Sequence, residues 1–491
     1  MTLPKTRRVL SLIALLSLFV TTLPGCTVNP ATGQSTFTGL MSESEEQRIG
    51  RDSHPKVLTA FGGAYEDVEL QRYIDSIGQL LARASDRPDQ RYIFTVLDSP
   101  IVNAFAVPGG YIYLTRGLLA LANDESEIAG VLAHEIGHIA ARHSAERYSQ
   151  AGIASILAAT VGIATGSGQL ANAAGSGAAV YLQSYSRDQE NQADLLGIRY
   201  LSRTGYDPYG MVDFLRQLEA DDRLDATIAG RPEMADGYSI MSTHPRTSDR
   251  IRQTIQQAGA AQVPNPLVER ELYLSKINGM LYGDEPEQGY IRGRQFLHPT
   301  LHFRFEVPPG FHMINTADAV IARRADGATI DFSAAKQASN ASMYDYLVGE
   351  WAPNLALTDA ETIDVNGMAA ATGSDRVETR SGSRDFRLVA IRYDDNNVYR
   401  FLFIIKPEIT QQLGRDLRET TYSFSRLSKR EAAALRPQRV DVVSALPGET
   451  IEELAAKMPF ESYQTERFRV LNGLAPGDRL APGQLVKIIA E

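Results

Sequence analysis

His134-Glu135-Ile136-Gly137-His138 sets two imidazoles four residues apart, with a carboxylate beside the first. The stretch lies within Asp124–His143, where Val131, Leu132, Ile136 and Ile139 supply an apolar, helix-compatible context. On a helix, positions i and i+4 share a face, so His134 and His138 can present ring nitrogens to one metal ion. Glu135 is then placed to accept a proton from a water at that metal. Zinc suits this set, because it takes imidazole nitrogen and keeps one position open in catalytic sites. With eight histidines in 491 residues, the pattern is rarely met by chance. One Zn2+ per chain is the expected cofactor.

A third ligand must come from elsewhere. Ser144 stands where some zinc enzymes carry a third histidine six residues on, and Ala141 stands where they carry glycine. His143 lies five residues beyond His138, about 140° round a helix at roughly 100° per residue. It is expected to point away from the metal, as a packing residue or one behind the ligands. Glu190 is the better candidate, within Ser186-Arg-Asp-Gln-Glu-Asn-Gln-Ala-Asp194. Glu190 and Asp194 again share a helical face. Glu190 can ligate, and Asp194 can hydrogen-bond the outer nitrogen of a ligating imidazole and fix its orientation.

Further motifs surround these residues: Asn103-Ala-Phe-Ala-Val-Pro-Gly-Gly-Tyr-Ile-Tyr113, Gly117-Leu118, and Ser242-Thr-His-Pro245 with Arg250. Together with His134–His138 and Glu190–Asp194 they resemble the zinc metallopeptidases that include the CaaX prenyl protease, HtpX, the mitochondrial protease Oma and the periplasmic BepA. The resemblance implies a gluzincin-type ligand set of His134, His138 and Glu190. It implies that Asn103, Ala104 and Phe105 begin a strand edge along the cleft, to which an extended peptide can add by main-chain hydrogen bonds. It also places His244 near the metal, either stabilising an oxyanion or blocking the zinc, with Arg250 beside it.

The N-terminus locates the chemistry. Lys5, Arg7 and Arg8 precede an apolar run, Val9–Val20, too short to span a bilayer as a mature helix. Leu23-Pro-Gly-Cys26 follows and resembles a bacterial lipobox, so residues 1–25 read as a signal peptide and Cys26 as the lipidated residue. Cys26 is the only cysteine, so no intramolecular disulfide supports the exported domains. More than one acyl chain suffices for stable anchoring. Thr27 after Cys26, by resemblance to such lipoproteins, points to the outer membrane.

The expected architecture is multidomain. Residues 26–42 form a lipidated polar tether. Residues 43–262 form a mainly α, zincin-type metallopeptidase unit with a small edge sheet. Residues 263–289 connect it to an α+β domain of unassigned role at 290–430. There, two apolar runs, Leu388–Tyr393 and Val398–Ile405, flank a hairpin at Asp394-Asp-Asn-Asn397, with helices near Met343–Trp351 and Glu408–Thr420. Residues 439–491 resemble a small βααβ module of LysM type, with Pro459–Thr465 lengthening its middle, which makes peptidoglycan a candidate partner. Ala151–Ala179 is apolar, but Gly166-Ser-Gly168 and Gly175-Ser-Gly177 interrupt it; it reads as cleft-covering helices with a lid-like link. No internal repeat suggests a solenoid.

A net charge of −10 and the lack of a basic run past the signal argue against nucleic acid as a partner. The expected function is a periplasmic zinc endopeptidase whose substrates are unfolded or misassembled envelope proteins. The alternative is a chaperone-like or peptidoglycan-associated binding protein with a silent or self-blocked zinc site.

Overall fold

The computed structural model describes residues 26–29, 31–33, 35–37, 41–147, 185–228, 244, 248–315, 319–335, 341–379 and 382–491. The expected signal peptide, the Ala151–Ala179 segment and Arg231–Met241, which by its polar, Met-containing sequence reads as a loop ahead of His244, lie outside the described residues.

The motif helix, Glu125–Ala140, is the centre of the peptidase unit. All of its 16 residues are buried, as expected of a helix apolar on nearly every side. Asp124 caps its start, accepting the Glu127 amide at 3.0 Å. Glu125 in the first turn accepts the hydroxyls of Tyr73 and Tyr206, each at 2.5 Å. Helices Val68–Ala84, Arg187–Thr204 and Tyr209–Ile228 pack around it. A three-stranded sheet lies beside it. Its middle strand, Tyr111–Thr115, runs parallel to Ile93–Leu97 and antiparallel to Ala104–Val107, which forms one edge.

The segment expected to be a free tether is partly docked. Cys26–Val28 and Ser35–Phe37 pair as a short antiparallel hairpin. The Asn29 amide donates to the Ala141 carbonyl at 2.7 Å, at the end of the motif helix. That bond satisfies a helix-end carbonyl that has no partner within the helix.

The segment read as a connector is folded into the same core. Helix Arg270–Ile277 buries Tyr273, Leu274 and Ile277 there. Leu281–Tyr282 pairs with strand Gln438–Ser444, which pairs antiparallel with Leu485–Ala490. Between those two strands stand helices Ile451–Ala455 and Gln464–Leu471, a β-α-α-β order. Val440, Leu454, Phe468 and Val486 belong to one continuous core with the motif helix. Lys487 is fully buried, and its Nζ donates to the carbonyls of Ala120, Leu121 and Ala122 at 2.7, 3.1 and 2.5 Å. These carbonyls end helix Arg116–Leu121.

Residues 290–426 build a separate core of phenylalanines, including Phe303, Phe305, Phe332, Phe401 and Phe424. It lies between a seven-stranded antiparallel sheet, a four-stranded sheet and helix Pro407–Ser423. The expected hairpin is present: Gly382–Arg392 pairs with Val398–Ile405, and Asp394 accepts the amides of Asn396 and Asn397 at 2.8 and 2.9 Å. The helix expected over Met343–Trp351 is a short α-turn, Met343–Asp345, continued by a π-helical turn, Tyr346–Trp351.

His298 gives this unit a pH dependence. The ring packs beside Phe296 and Phe303, and its Nδ1 accepts the Leu301 amide at 3.2 Å. Burial holds its pKa down at about 4. The unfolded chain takes up this proton near pH 6.5, before the folded one. The contribution is therefore complete above about 6.5 and declines as pH falls toward 4, by about 2 kcal/mol after allowance for solvent access. Urea midpoints of the metal-free protein should fall between pH 7.5 and 5. His298→Gln should flatten that slope, and an unchanged slope would remove His298 as its cause.

Candidate metal centre

His134, His138, Glu190 and His244 each offer one ligand atom, and these atoms all lie within 4.8 Å of one another; all four residues are buried. His134 Nε2 stands 3.0 Å from His138 Nε2 and 3.5 Å from Glu190 Oε2. His138 Nε2 is 3.5 Å from Glu190 Oε1. His244 Nδ1 completes the group, 2.9 Å from Glu190 Oε1 and 3.2 Å from His134 Nε2.

Two helices make this possible. The motif helix supplies both imidazoles from one face. Helix Arg187–Thr204 supplies Glu190 from its first turn, after a capping box between Ser186 and Gln189. The two helices approach closely because glycines sit where they touch. A Cβ on Gly137 would meet the Ala193 carbonyl oxygen at 3.0 Å, and one on Gly197 would meet His134 N at 3.2 Å. A side chain at Gly137 would press on the backbone of the helix that carries Glu190, and one at Gly197 would also meet Met211 Cε.

A charged layer supports the ligand atoms. Asp194 Oδ1 lies 2.9 Å from His134 Nδ1. That contact directs the Nδ1 proton outward and leaves Nε2 facing the group. Arg250 grips Asp194 with two bonds, Nε to Oδ2 at 2.5 Å and a terminal nitrogen to Oδ1 at 2.7 Å. Its other terminal nitrogen reaches Glu190 Oε2 at 2.5 Å. Arg250 thus sits behind both carboxylates. Burial alone would raise both acids. For Asp194 the Arg250 guanidinium outweighs it and holds the carboxyl well below its ordinary range. For Glu190, His244 and Arg250 together do the same and leave it lowered. Burial, followed by the neighbouring histidines, drives His138 well below its usual value and keeps it neutral, the form that ligates a metal.

Glu135 is fully buried, and neither carboxylate oxygen has a hydrogen-bond partner among the described residues. Its Oε1 lies 3.5 Å from His244 Nε2. Both residues line a cavity of about 40 Å³ whose other walls include Val131, Met211, Phe214, Leu215 and Leu218. The donor set fits zinc. It offers imidazole nitrogens and a carboxylate oxygen, and two bare Nε2 atoms 3.0 Å apart repel each other unless a cation joins them.

Ala104–Val107 is an edge strand packed on the motif helix. Asn103 and Ala104 are buried, and Phe105 stacks on Tyr113 at 5.0 Å. His143 lies behind the ligands, one of the two roles expected of it, and is not among the four converging residues. The helical rotation does not apply, because the motif helix ends at Ala140 and Arg142 takes a left-handed φ of +55°. The chain turns back and brings His143 Nδ1 to 2.9 Å from His138 Nδ1. Sequence reasoning also missed Tyr185, whose ring stacks on His138 at 3.8 Å between centroids. It stands just before the Ser186 cap, and no pattern in the chain marks it.

A family model described as Peptidase family M48 matches residues 69–257. A beta-barrel assembly-enhancing protease of Yersinia pestis is 30% identical over 280 residues, covering 54% of each chain. Its counterpart in Escherichia coli is 29% identical over 251 residues, 48% of each chain. The mitochondrial metalloendopeptidase OMA1 of Schizosaccharomyces pombe is 28% identical over 224 residues, 44% of this chain and 62% of that one. The chain thus spans about half the length of the bacterial relatives it matches.

Proposed function

Because residues 69–257 belong to peptidase family M48, a family of zinc-dependent metallopeptidases, we propose that this chain is a lipid-anchored periplasmic endopeptidase for misfolded or stalled envelope and outer-membrane proteins. One observation carries the reading. Three ligand atoms, from His134, His138 and Glu190, converge next to the buried Glu135 carboxylate, which has no donor among the described residues.

Zinc held there would polarise the scissile carbonyl and lower the pKa of water at its open position. Glu135 takes the proton of the attacking water and later delivers it to the leaving amine. Asp194 keeps His134 turned to ligate, and Arg250 holds Asp194 and Glu190 in place. The substrate backbone lies along the Ala104–Val107 edge and adds to it as a strand, with Asn103, Ala104 and Phe105 at its start.

The location rests on the Leu23–Cys26 lipobox and Thr27. No helix among the described residues is long and apolar enough to cross a membrane. The substrate class rests on the relatives described as beta-barrel assembly-enhancing proteases. The β-α-α-β order of residues 438–490 keeps peptidoglycan as a candidate ligand of that module.

His244 favours a resting state that blocks itself. Its Nδ1 already lies among the ligand atoms. A histidine there can complete a tetrahedral set and exclude the catalytic water. A second reading, a chaperone-like binding protein with a permanently closed site, starts from the same observation. Cleavage of an unfolded outer-membrane β-barrel protein separates the two. The enzyme reading expects slow cleavage, lost on treatment with a chelator, restored by one equivalent of zinc, and faster in His244→Ala. Zinc-loaded wild type and His244→Ala that both bind the substrate without ever cutting it would establish the binding protein instead.

A further inference from the structure

Behind His138 runs a short chain of side-chain contacts. His138 Nδ1 lies 2.9 Å from His143 Nδ1, and His143 Nε2 lies 3.2 Å from Gln192 Oε1. Both histidines are 1% exposed, so water does not supply alternative partners at will. Two ring nitrogens facing each other at this distance share one proton: one donates and the other must be bare.

The direction of the chain follows from its far end. An amide oxygen only accepts, so the bond to Gln192 places the His143 proton on Nε2. Neutral His143 is then bare at Nδ1 and accepts. The proton in the contact between the histidines therefore belongs to His138 Nδ1. His138 Nε2 is left bare, facing His134 and Glu190. Turning the Gln192 amide over reverses every step: its NH₂ would donate to His143 Nε2, His143 Nδ1 would donate to His138 Nδ1, and a proton would sit on His138 Nε2. In that form His138 cannot ligate.

We propose that Gln192, acting through His143, sets the tautomer of His138 and thereby decides whether its Nε2 can bind zinc. This rests on the zinc reading given above and adds two positioning residues to it. The two ligating imidazoles are served differently. His134 is oriented directly by a carboxylate, Asp194, at 2.9 Å. His138 is oriented by a neutral amide through a second imidazole. Gln192 lies two residues beyond Glu190 on helix Arg187–Thr204, so the helix that supplies the ligand carboxylate also orients the second imidazole.

The backbone is shaped for this contact. Arg142 holds a left-handed φ of +55°, which a non-glycine residue adopts only when its surroundings enforce it. Its guanidinium is fixed by Glu46 Oε1 and by the Met41 carbonyl, each at 2.8 Å. That turn carries His143 back over His138.

Two variants and two measurements test the proposal. Gln192→Met keeps the side-chain length and removes the acceptor; His143→Phe keeps a ring in place and breaks the relay. Each should weaken zinc binding by about 10- to 100-fold, measured by competition with a chelator. The metal-free proteins should keep the wild-type urea midpoint to within the small change that one lost neutral hydrogen bond makes. The ¹⁵N shifts of the His138 ring in the metal-free protein should show protonated Nδ1 in the wild type, and a mixture or protonated Nε2 in the variants. If one variant fails to fold, the other carries both measurements. Wild-type zinc affinity in the variants, with His138 still protonated at Nδ1, would overturn the proposal. Failure of the wild type to take up zinc would instead defeat the zinc reading, and the nitrogen shifts would still decide the tautomer claim.

Discussion

Glu135→Gln should retain zinc, retain the fold and lose cleavage by roughly 10²–10⁴-fold, and by more if the same carboxylate also generates the nucleophile. Glu135 is not among the converging ligand atoms, so the amide leaves the metal set intact. It is also a near-isostere, so packing of the fully buried side chain is preserved. What disappears is the carboxylate of the motif helix that lines the cavity shared with His244. Stability should not fall, because a buried carboxylate without donors costs more to desolvate than an amide. Zinc content by mass spectrometry, thermal unfolding and the rate of cutting an unfolded β-barrel protein check the three parts separately. Unchanged turnover would sink Glu135 as the base. Lost zinc would make it a ligand.

The contrast between ligands and their supports shows what the chain discloses of itself. His134, His138, Glu190 and Asp194 are legible because each pair obeys the i, i+4 rule within one helix, and a local rule needs no tertiary information. Arg250 becomes legible only through resemblance, because its partners, Asp194 and Glu190, lie more than fifty residues earlier. His143 does sit behind the ligands, but for a reason that the same local rule does not supply. Extending a helical rotation assumes that the helix continues, and the left-handed Arg142 interrupts it. The hairpin at Asp394–Asn397 was readable from turn chemistry. The π-helical turn at Tyr346–Trp351 was not, since its i→i+5 bonds have no distinct side-chain pattern. The tether looked free because polar composition says nothing of Asn29 reaching the Ala141 carbonyl. Docking of the C-terminal module was equally hidden, because nothing in Leu485–Ala490 marks its one lysine, Lys487, as buried.

That docking sets the second large effect: removal of residues 438–491 should unfold the peptidase unit, not merely trim it. The deletion takes Val440, Leu454, Phe468, Val486 and Ile489 out of the core that holds the motif helix. It also takes the partner strand of Leu281–Tyr282 and the ammonium that satisfies three carbonyls at Ala120, Leu121 and Ala122. Those carbonyls stand immediately before Asp124, the cap of the motif helix, so the entry of the helix bearing His134 and His138 depends on them. Burial drives the Lys487 pKa down to about 7, while Glu127 nearby opposes the shift. The ammonium is therefore costly in itself, and three carbonyl bonds offset that cost. Lys487→Met removes the charge but leaves the Ala120 and Ala122 carbonyls without their donor, at about 1–3 kcal/mol each, while Leu121 keeps the Asn123 amide at 3.2 Å. A net loss of about 3 kcal/mol or more in urea unfolding is expected for Lys487→Met, with weaker zinc retention on dilution of denaturant. The 438–491 deletion should give a protease-sensitive chain that does not hold zinc. A truncated protein that unfolds cooperatively, binds zinc and cleaves would show instead that the module is a detachable cap, and that its burial against the motif helix contributes little to the site.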